Sequence, residues 1–79
     1  MKLRDVMGTF FKFPIINFDI WIHLYNTRND MMADRRAESS RHYKGFVPFS
    51  DMDLACHQAS INGEKGEIVF FCSENDEDW

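Results

Sequence analysis

Residues 16–25 alternate between apolar and polar side chains, and this period of two constrains the fold more than any other feature of the chain. One face carries only apolar residues: Ile16, Phe18, Ile20, Ile22 and Leu24. The other face is polar and aromatic: Asn17, Asp19, Trp21, His23 and Tyr25. Successive side chains of a strand point to opposite faces of a sheet, so the pattern predicts a half-buried β-strand. Trp21 and Tyr25 are then either partner contacts or side chains covered by helices.

Three further segments give strand or helix signals. The apolar run of residues 67–72 predicts a strand at the centre of a sheet, covered on both faces. Residues 46–49 are predicted to be a short extended segment, which Pro48 confines to an edge or a strand end. Residues 31–44 favour a short, polar, exposed helix, although Arg41, His42 and Tyr43 are also compatible with a strand.

A helix is predicted over residues 51–61. Ser50 is a good N-cap, and Asn62 with Gly63 is a typical helix end. Apolar residues recur between them at helical spacing, on one face: Met52, Ala55, Cys56 and Ala59. Asp51 and Asp53 would stand in the first turn, where the helix dipole favours negative charge.

These elements predict an α+β fold, with a small, mainly antiparallel sheet of about three strands packed against one or two helices. The chain has 79 residues, of which 44% are hydrophobic and 15% aromatic. That length allows one domain at most, and so many aromatics are typical of a folded protein. We expect a single compact domain over residues 1–73, followed by an acidic C-terminal tail over residues 74–79.

Charge is distributed unevenly along the chain. Residues 1–49 carry eight Lys and Arg against five Asp and Glu, whereas residues 50–79 carry one Lys against eight Asp and Glu. An acidic surface formed by residues 50–79 would attract basic partners and repel nucleic acid. The acidic tail has two interpretations: a disordered, solubilising segment, or a partner contact in which closely spaced carboxylates imitate phosphates and Trp79 acts as an anchor.

No pattern in the chain predicts a catalytic, metal or cofactor site. The cysteines and histidines lack zinc-site spacing, the glycines form no phosphate-binding loop, and the predicted tail carboxylates are too solvated for acid–base catalysis. We therefore expect a protein that is not an enzyme and has no cofactor. Cys56 and Cys72 are expected to be buried and reduced, and a disulfide between them is the less favoured alternative. No stretch approaches the roughly 18 apolar residues that a membrane span needs, so a soluble cytoplasmic protein is expected.

One basic segment has an alternative functional interpretation. Arg35, Arg36, Arg41 and Lys44, together with His42 and Tyr43, are residue types that grip phosphates and stack on bases. A solvated face partly neutralised by Asp34 and Glu38 explains them more simply, because the whole chain has a net charge of −4. A third interpretation pairs this segment with the acidic half of a second copy, which would make a homodimer.

The small size and the acids at Asp51, Asp53, Glu64, Glu67 and residues 74–79 give the chain a general resemblance to phage-encoded inhibitors of bacterial defence, such as anti-CRISPR and DNA-mimic antirestriction proteins. The resemblance is one of style and matches no family motif. It implies a non-enzymatic inhibitor, acting in the bacterial cytoplasm, that blocks a basic nucleic-acid-binding surface of a protein complex such as a CRISPR effector.

The residues expected to contact that partner are mainly carboxylates: Asp51, Asp53, Glu64, Glu67, Glu74, Asp76, Glu77 and Asp78, with Trp79. The basic half departs from a pure DNA mimic, which would be acidic throughout. It favours the blocking of a protein surface. The alternative function is a small nucleic-acid-binding or regulatory protein that uses Arg35, Arg36, Arg41 and Lys44.

Overall fold

A computed structural model of the chain describes residues 1–11 and 14–74. These residues form one mixed sheet of four strands: β1 (Asp19–Leu24), β2 (Arg41–Lys44), β3 (Ala55–Asn62) and β4 (Glu67–Ser73). The strand order is β2-β1-β4-β3. The two central strands, β1 and β4, are parallel, and each outer strand is antiparallel to its neighbour. The α+β fold predicted from the sequence is confirmed, with one strand more than expected and a parallel pair at its centre.

Two short helices and a 3₁₀ turn complete the described chain. They are α1 (Leu3–Phe10), α2 (Arg28–Met32) and the turn Phe49–Asp51. No helix in the described ranges is long and apolar enough to cross a membrane.

The hydrophobic core lies on one face of the sheet, beneath α1. The parallel register places Ile20, Ile22 and Leu24 of β1 beside Ile68, Phe70 and Cys72 of β4. All six are buried, and Leu3 and Val6 of α1 close over them. Each large apolar side chain removed from water contributes about 1.5–3 kcal/mol. The alternation in residues 16–25 therefore predicts the inward residues of β1 correctly, whereas Ile16 lies before the strand and is exposed.

The predicted helix over residues 51–61 is wrong, because residues 55–62 form β3. Helical structure there ends after the 3₁₀ turn, and β3 then pairs with β4 from Ala55 opposite Ser73 to Asn62 opposite Glu67. The side chains of the supposed helical face give only a weak preference for a helix. Pairing with the apolar strand β4 overrides that preference. Asn62 and Gly63 are predicted to end a helix, but Asn62 is the last residue of β3 and Gly63 begins the hairpin turn that leads to β4.

The helix predicted over residues 31–44 is also wrong in extent. Helix α2 spans five residues and is capped by Thr27, whose side-chain oxygen accepts a hydrogen bond from the Asp30 N–H at 3.1 Å. Asp34 follows with a φ of 54°, which ends the helical path. The alternative left open from the sequence, a strand at Arg41, His42 and Tyr43, is correct, since these residues lie in β2.

The sequence patterns do not predict helix α1, because no capping side chain marks its start. Lys2 occupies the N-cap position and makes no side-chain hydrogen bond there. Residues 46–49 are outside the sheet. The strand predicted over residues 67–72 is confirmed as the central strand β4. Its second face is only half-covered, because Val69 and Phe71 are partly exposed there.

A glycine sets the approach of β2 to the start of β1. Gly45 has a φ of +82°, and a Cβ placed on it would collide with the backbone carbonyl of Ile16. The Gly45 N–H also donates a hydrogen bond to the Phe18 carbonyl at 2.9 Å. Only glycine meets both requirements without strain.

We expect Gly45→Ala to lower the free energy of unfolding by about 1–3 kcal/mol, because it combines an unfavourable positive φ with a backbone clash. Gly8→Ala is the matched control: Gly8 lies within α1 with no atom near its added Cβ, so alanine should stabilise by up to about 1 kcal/mol. Urea unfolding followed by circular dichroism measures both. Equal effects of the two substitutions would contradict this account of Gly45.

Candidate partner-binding surface

The sheet face opposite α1 carries the surface most suited to binding, and we call it the open face. The strand register arranges its side chains in rows that cross all four strands. One row is charged and polar: Lys44, Asp19, Glu67 and Asn62. The next row is aromatic at its centre: His42, Trp21, Val69 and Ser60. Residues far apart in sequence therefore form one continuous patch.

Trp21 stands at the centre of this patch. Its residue is 37% exposed, although tryptophan is usually well buried. Its ring packs against the His42 ring with 4.3 Å between centroids, and His42 Nε2 lies 3.0 Å from Asp19 Oδ1. These contacts hold the indole in place while leaving part of it open to solvent. A fixed, half-exposed tryptophan is typical of an interface anchor.

Two carboxylates lie beside Trp21. Asp19 and Glu67 are register partners in the parallel pair, so their strands are about 4.8 Å apart at this point. A shallow cleft of about 210 Å³ adjoins Glu67 and is lined by Trp21, His23, Arg36, Glu67 and Val69. Among the described residues, Glu67 takes part in no ion pair. Its negative charge is therefore available to a binding partner.

Residues 33–40, which we call the covering loop, close the other end of the open face. The loop is attached to β1: the Ala37 N–H donates to the Leu24 carbonyl at 2.7 Å, and the Leu24 N–H donates to Ser40 Oγ at 2.9 Å. Tyr25 is buried beneath the loop and stacks on Phe71, with 6.2 Å between the ring centroids. The second interpretation from the sequence, that such aromatics are covered, thus holds for Tyr25, although a loop covers it in place of a helix.

Asp34 organises the covering loop. Its carboxylate accepts a hydrogen bond from the Tyr25 hydroxyl at 2.8 Å and two from the Arg36 guanidinium at 3.1 Å. The bonds from Arg36 and Tyr25 lower the pKa of Asp34 to about 2. Burial and the bond to Asp34 raise the pKa of Tyr25 to about 12. Both groups therefore keep their charge states across the physiological range.

His23 is the unusual group at the edge of the cleft. It is 8% exposed, and its Nδ1 has no hydrogen-bond partner in the described part of the chain. The imidazole meets the edge of Phe71, with 5.8 Å between centroids. Burial lowers the pKa of His23 below its ordinary value and the positive charge of Arg36 lowers it further, against a smaller opposing effect of Asp34. His23 is therefore held neutral.

The predicted acidic contacts do not form one surface. Asp51 is 3% exposed, and its carboxylate binds Arg41 and the Tyr43 hydroxyl inside the fold. Asp53 is exposed but pairs with Lys2 at 3.6 Å and Arg4 at 2.5 Å, beside α1. Burial and these pairs give both aspartates a structural explanation.

The remaining acids lie at opposite ends of β4. Glu64 is exposed in the hairpin turn and Glu67 begins the strand, whereas Glu74 is exposed just beyond its end. Seven strand residues separate the two ends by roughly 20 Å. Asp76, Glu77, Asp78 and Trp79 lie outside the described residues. Of the predicted acids that the structure describes, only Glu67 is brought beside Trp21.

The predicted basic patch is divided in the same way. Arg35 pairs with Asp30 at 3.0 Å, Arg36 with Asp34, and Arg41 with Asp51. The neutralisation of this segment by Asp34 is therefore correct for Arg36. Arg41 and Lys44 are three residues apart in β2 and so point to opposite faces of the sheet. Of the four, only Lys44 lacks an acidic partner in the described ranges.

The cysteines and histidines form no metal centre in the part of the chain that the structure describes, where no three potential ligands come together. Cys56 and Cys72 are both buried, as expected, and lie opposite each other in β3 and β4 as free thiols. A hydrogen bond with Cys56, together with burial, raises the pKa of Cys72 above its ordinary value. These thiols have the properties of core residues.

Comparisons with known proteins give no family for this chain. No family model matches it, and neither a curated protein nor a solved structure resembles it significantly. Function must therefore be argued from the geometry of its own surfaces.

The burial of neutral His23 predicts a loss of stability in mild acid. As the pH falls through about 6.5, the ordinary pKa of histidine, the unfolded chain takes up a proton that the folded chain resists, so the free energy of unfolding should fall. Asp34, whose pKa is lowered, loses its contribution only in stronger acid. His23→Phe keeps a ring against Phe71 and should flatten this dependence in urea unfolding. Equal pH slopes for the two proteins would refute the assignment.

Proposed function

We propose that this protein is a non-enzymatic inhibitor that binds a basic, nucleic-acid-binding surface of a protein complex through its open face. A CRISPR effector is the target class that the resemblance to phage inhibitors suggests. The observation that carries the proposal is the half-exposed Trp21 beside the Asp19 and Glu67 carboxylates. An aromatic anchor next to negative charge suits arginine or lysine side chains that otherwise hold phosphate.

The ion pairs of the fold support an acidic contact over a nucleic-acid-binding one. Five basic side chains of the described ranges lie in ion pairs: Lys2, Arg4, Arg35, Arg36 and Arg41. In the same ranges Glu64, Glu67 and Glu74 form none. Internal ion pairs therefore involve most of the described basic side chains of the first half. Acidic side chains of the second half remain available to a binding partner. A phosphate-binding surface would need the reverse.

The recognition chemistry follows from the arrangement of Trp21 and Glu67. A guanidinium from the target stacks on the exposed indole, which contributes about 0.5–2 kcal/mol depending on how completely water is removed. The same guanidinium donates charge-assisted hydrogen bonds to the neighbouring carboxylate. The contact weakens as salt rises, because exposed charges are screened over about 8 Å at physiological ionic strength.

Trp21→Ala tests the anchor. We expect it to weaken inhibition tenfold or more, which is equivalent to about 1.4 kcal/mol or more of binding free energy. The variant loses both the indole surface on which a target guanidinium stacks and the apolar area that the indole would bury in the interface. The assay measures target-DNA binding by guide-loaded CRISPR effectors, by mobility shift, over a titration of the inhibitor. Trp79→Ala tests the predicted tail anchor in the same assay. Unchanged potency of Trp21→Ala, with circular dichroism showing a folded variant, would exclude the open face.

Charge reversal tests which acidic end of the sheet is used. We expect Glu67→Lys to abolish inhibition, since it places a cation against the basic target. Asp5→Lys, at an exposed position of α1, is a control for the same change of net charge. The quadruple change of Glu74, Asp76, Glu77 and Asp78 to Lys tests the tail separately. Loss of inhibition by the quadruple variant alone would assign the contact to the tail. A mobility shift of labelled DNA or RNA by the wild-type protein alone would favour the alternative function, nucleic-acid binding.

A further inference from the structure

We infer that the outer edge of β3 is a dimer interface, which pairs antiparallel with β3 of a second copy of this chain. This inference does not depend on the proposed inhibitory function. Strand β3 lies at the end of the sheet order, so one side of its backbone faces away from β4. Residues 58–62, which we call the free edge, are all exposed. No described backbone group outside the sheet bonds to them.

The two edges of the sheet differ in how they are protected against such pairing. Strand β2 spans four residues and carries Arg41 and Lys44, and short charged edges resist the addition of another strand. Strand β3 spans eight residues and contains no Lys, Arg, Asp, Glu or Pro. Its register irregularity lies between Cys56 and Gln58, so residues 58–62 continue as a regular strand. This long, neutral, regular edge is the kind that accepts a partner strand.

The first residues of the chain define where the free edge begins. Lys2 forms an isolated antiparallel bridge with Ala55, and the Cys56 N–H donates a hydrogen bond to the Met1 carbonyl at 2.7 Å. The start of β3 is thereby covered. At the other end, the hairpin turn begins at Gly63 and leads away to β4. Among the described residues, this leaves five residues with Ser60 at their centre for pairing.

The side chains of the free edge complement a second copy of themselves. In a two-fold antiparallel pairing centred on Ser60, Gln58 of one copy faces Asn62 of the other, and Ala59 faces Ile61. The first pair joins two amides that can exchange hydrogen bonds, and the second pair covers Ile61, which is 49% exposed. No like charges meet across the axis, despite the net charge of −4 on each chain. These properties favour a second copy as the occupant.

Pairing in this way makes one eight-stranded sheet with both open faces on the same side. Five strand spacings then separate the Trp21 side chains of the two copies, a distance of about 24 Å. The dimer would present two equivalent patches to a repetitive or two-fold target, which raises avidity without new contacts.

Light scattering after size-exclusion chromatography measures the mass of the full chain over a wide concentration range. We expect a dimer for the wild type and for Ser60→Thr, and monomers for Ser60→Lys and Ser60→Glu separately, because like charges then face each other. Mixing the Lys and Glu variants should restore the dimer mass, which a merely misfolded variant could not do. His42→Lys, on the opposite edge, should remain dimeric.

Hydrogen exchange gives an independent test of the same interface. Alternate N–H groups of residues 58–62 point outward, so their exchange should slow as protein concentration rises in the wild type and stay fast in Ser60→Lys. A wild type that is monomeric throughout, or a dimer that Ser60→Lys leaves intact, would overturn the inference.

Discussion

The parallel pairing of β1 with β4 is the interaction on which the rest of this structure depends. On one face it aligns Ile20, Ile22 and Leu24 with the apolar residues of β4 and so creates the core beneath α1. On the other face the same register sets Asp19 beside Glu67 and Trp21 beside Val69. Since side chains alternate along both strands, a shift of one residue would bury the charged row and expose the core. Stability and the candidate binding surface therefore share one constraint.

The charge asymmetry of the chain takes on a different meaning once it is folded. Arginines of the first half pair with aspartates from both halves, as Arg41 does with the buried Asp51 and Arg36 does with Asp34. The Arg41–Asp51 pair links β2 to the 3₁₀ turn, and the Arg36–Asp34 pair lies within the covering loop. What remains on the open face is a small patch in which Trp21 lies beside Asp19 and Glu67, with Lys44 at its edge, and this is a narrower surface than the broad acidic contact that composition suggests.

Sequence patterns were informative where a segment's structure is set by its own alternation. Residues 16–25 and 67–72 indicated β1 and β4, together with their inward side chains, because burial of one face dictates the period. The pattern failed to predict β3. Its small residues fit helical spacing, but pairing with β4 determines that they form a strand. Asp51 was expected at the surface, since nothing local reveals its bonds to Arg41 and Tyr43. The meeting of Trp21 with Glu67 depends on strand order, which a single sequence does not encode locally.

The proposed inhibitory contact places Trp21 of the open face against the target. Hydroxyl-radical footprinting of the two tryptophans, in the free protein and in its complex with a guide-loaded effector, tests this directly. Trp21 is exposed enough to react in the free protein, so we expect its oxidation to fall sharply on binding. Undiminished oxidation of Trp21 in the complex, with protection confined to Trp79, would contradict the claim and assign the contact to the C-terminal tail.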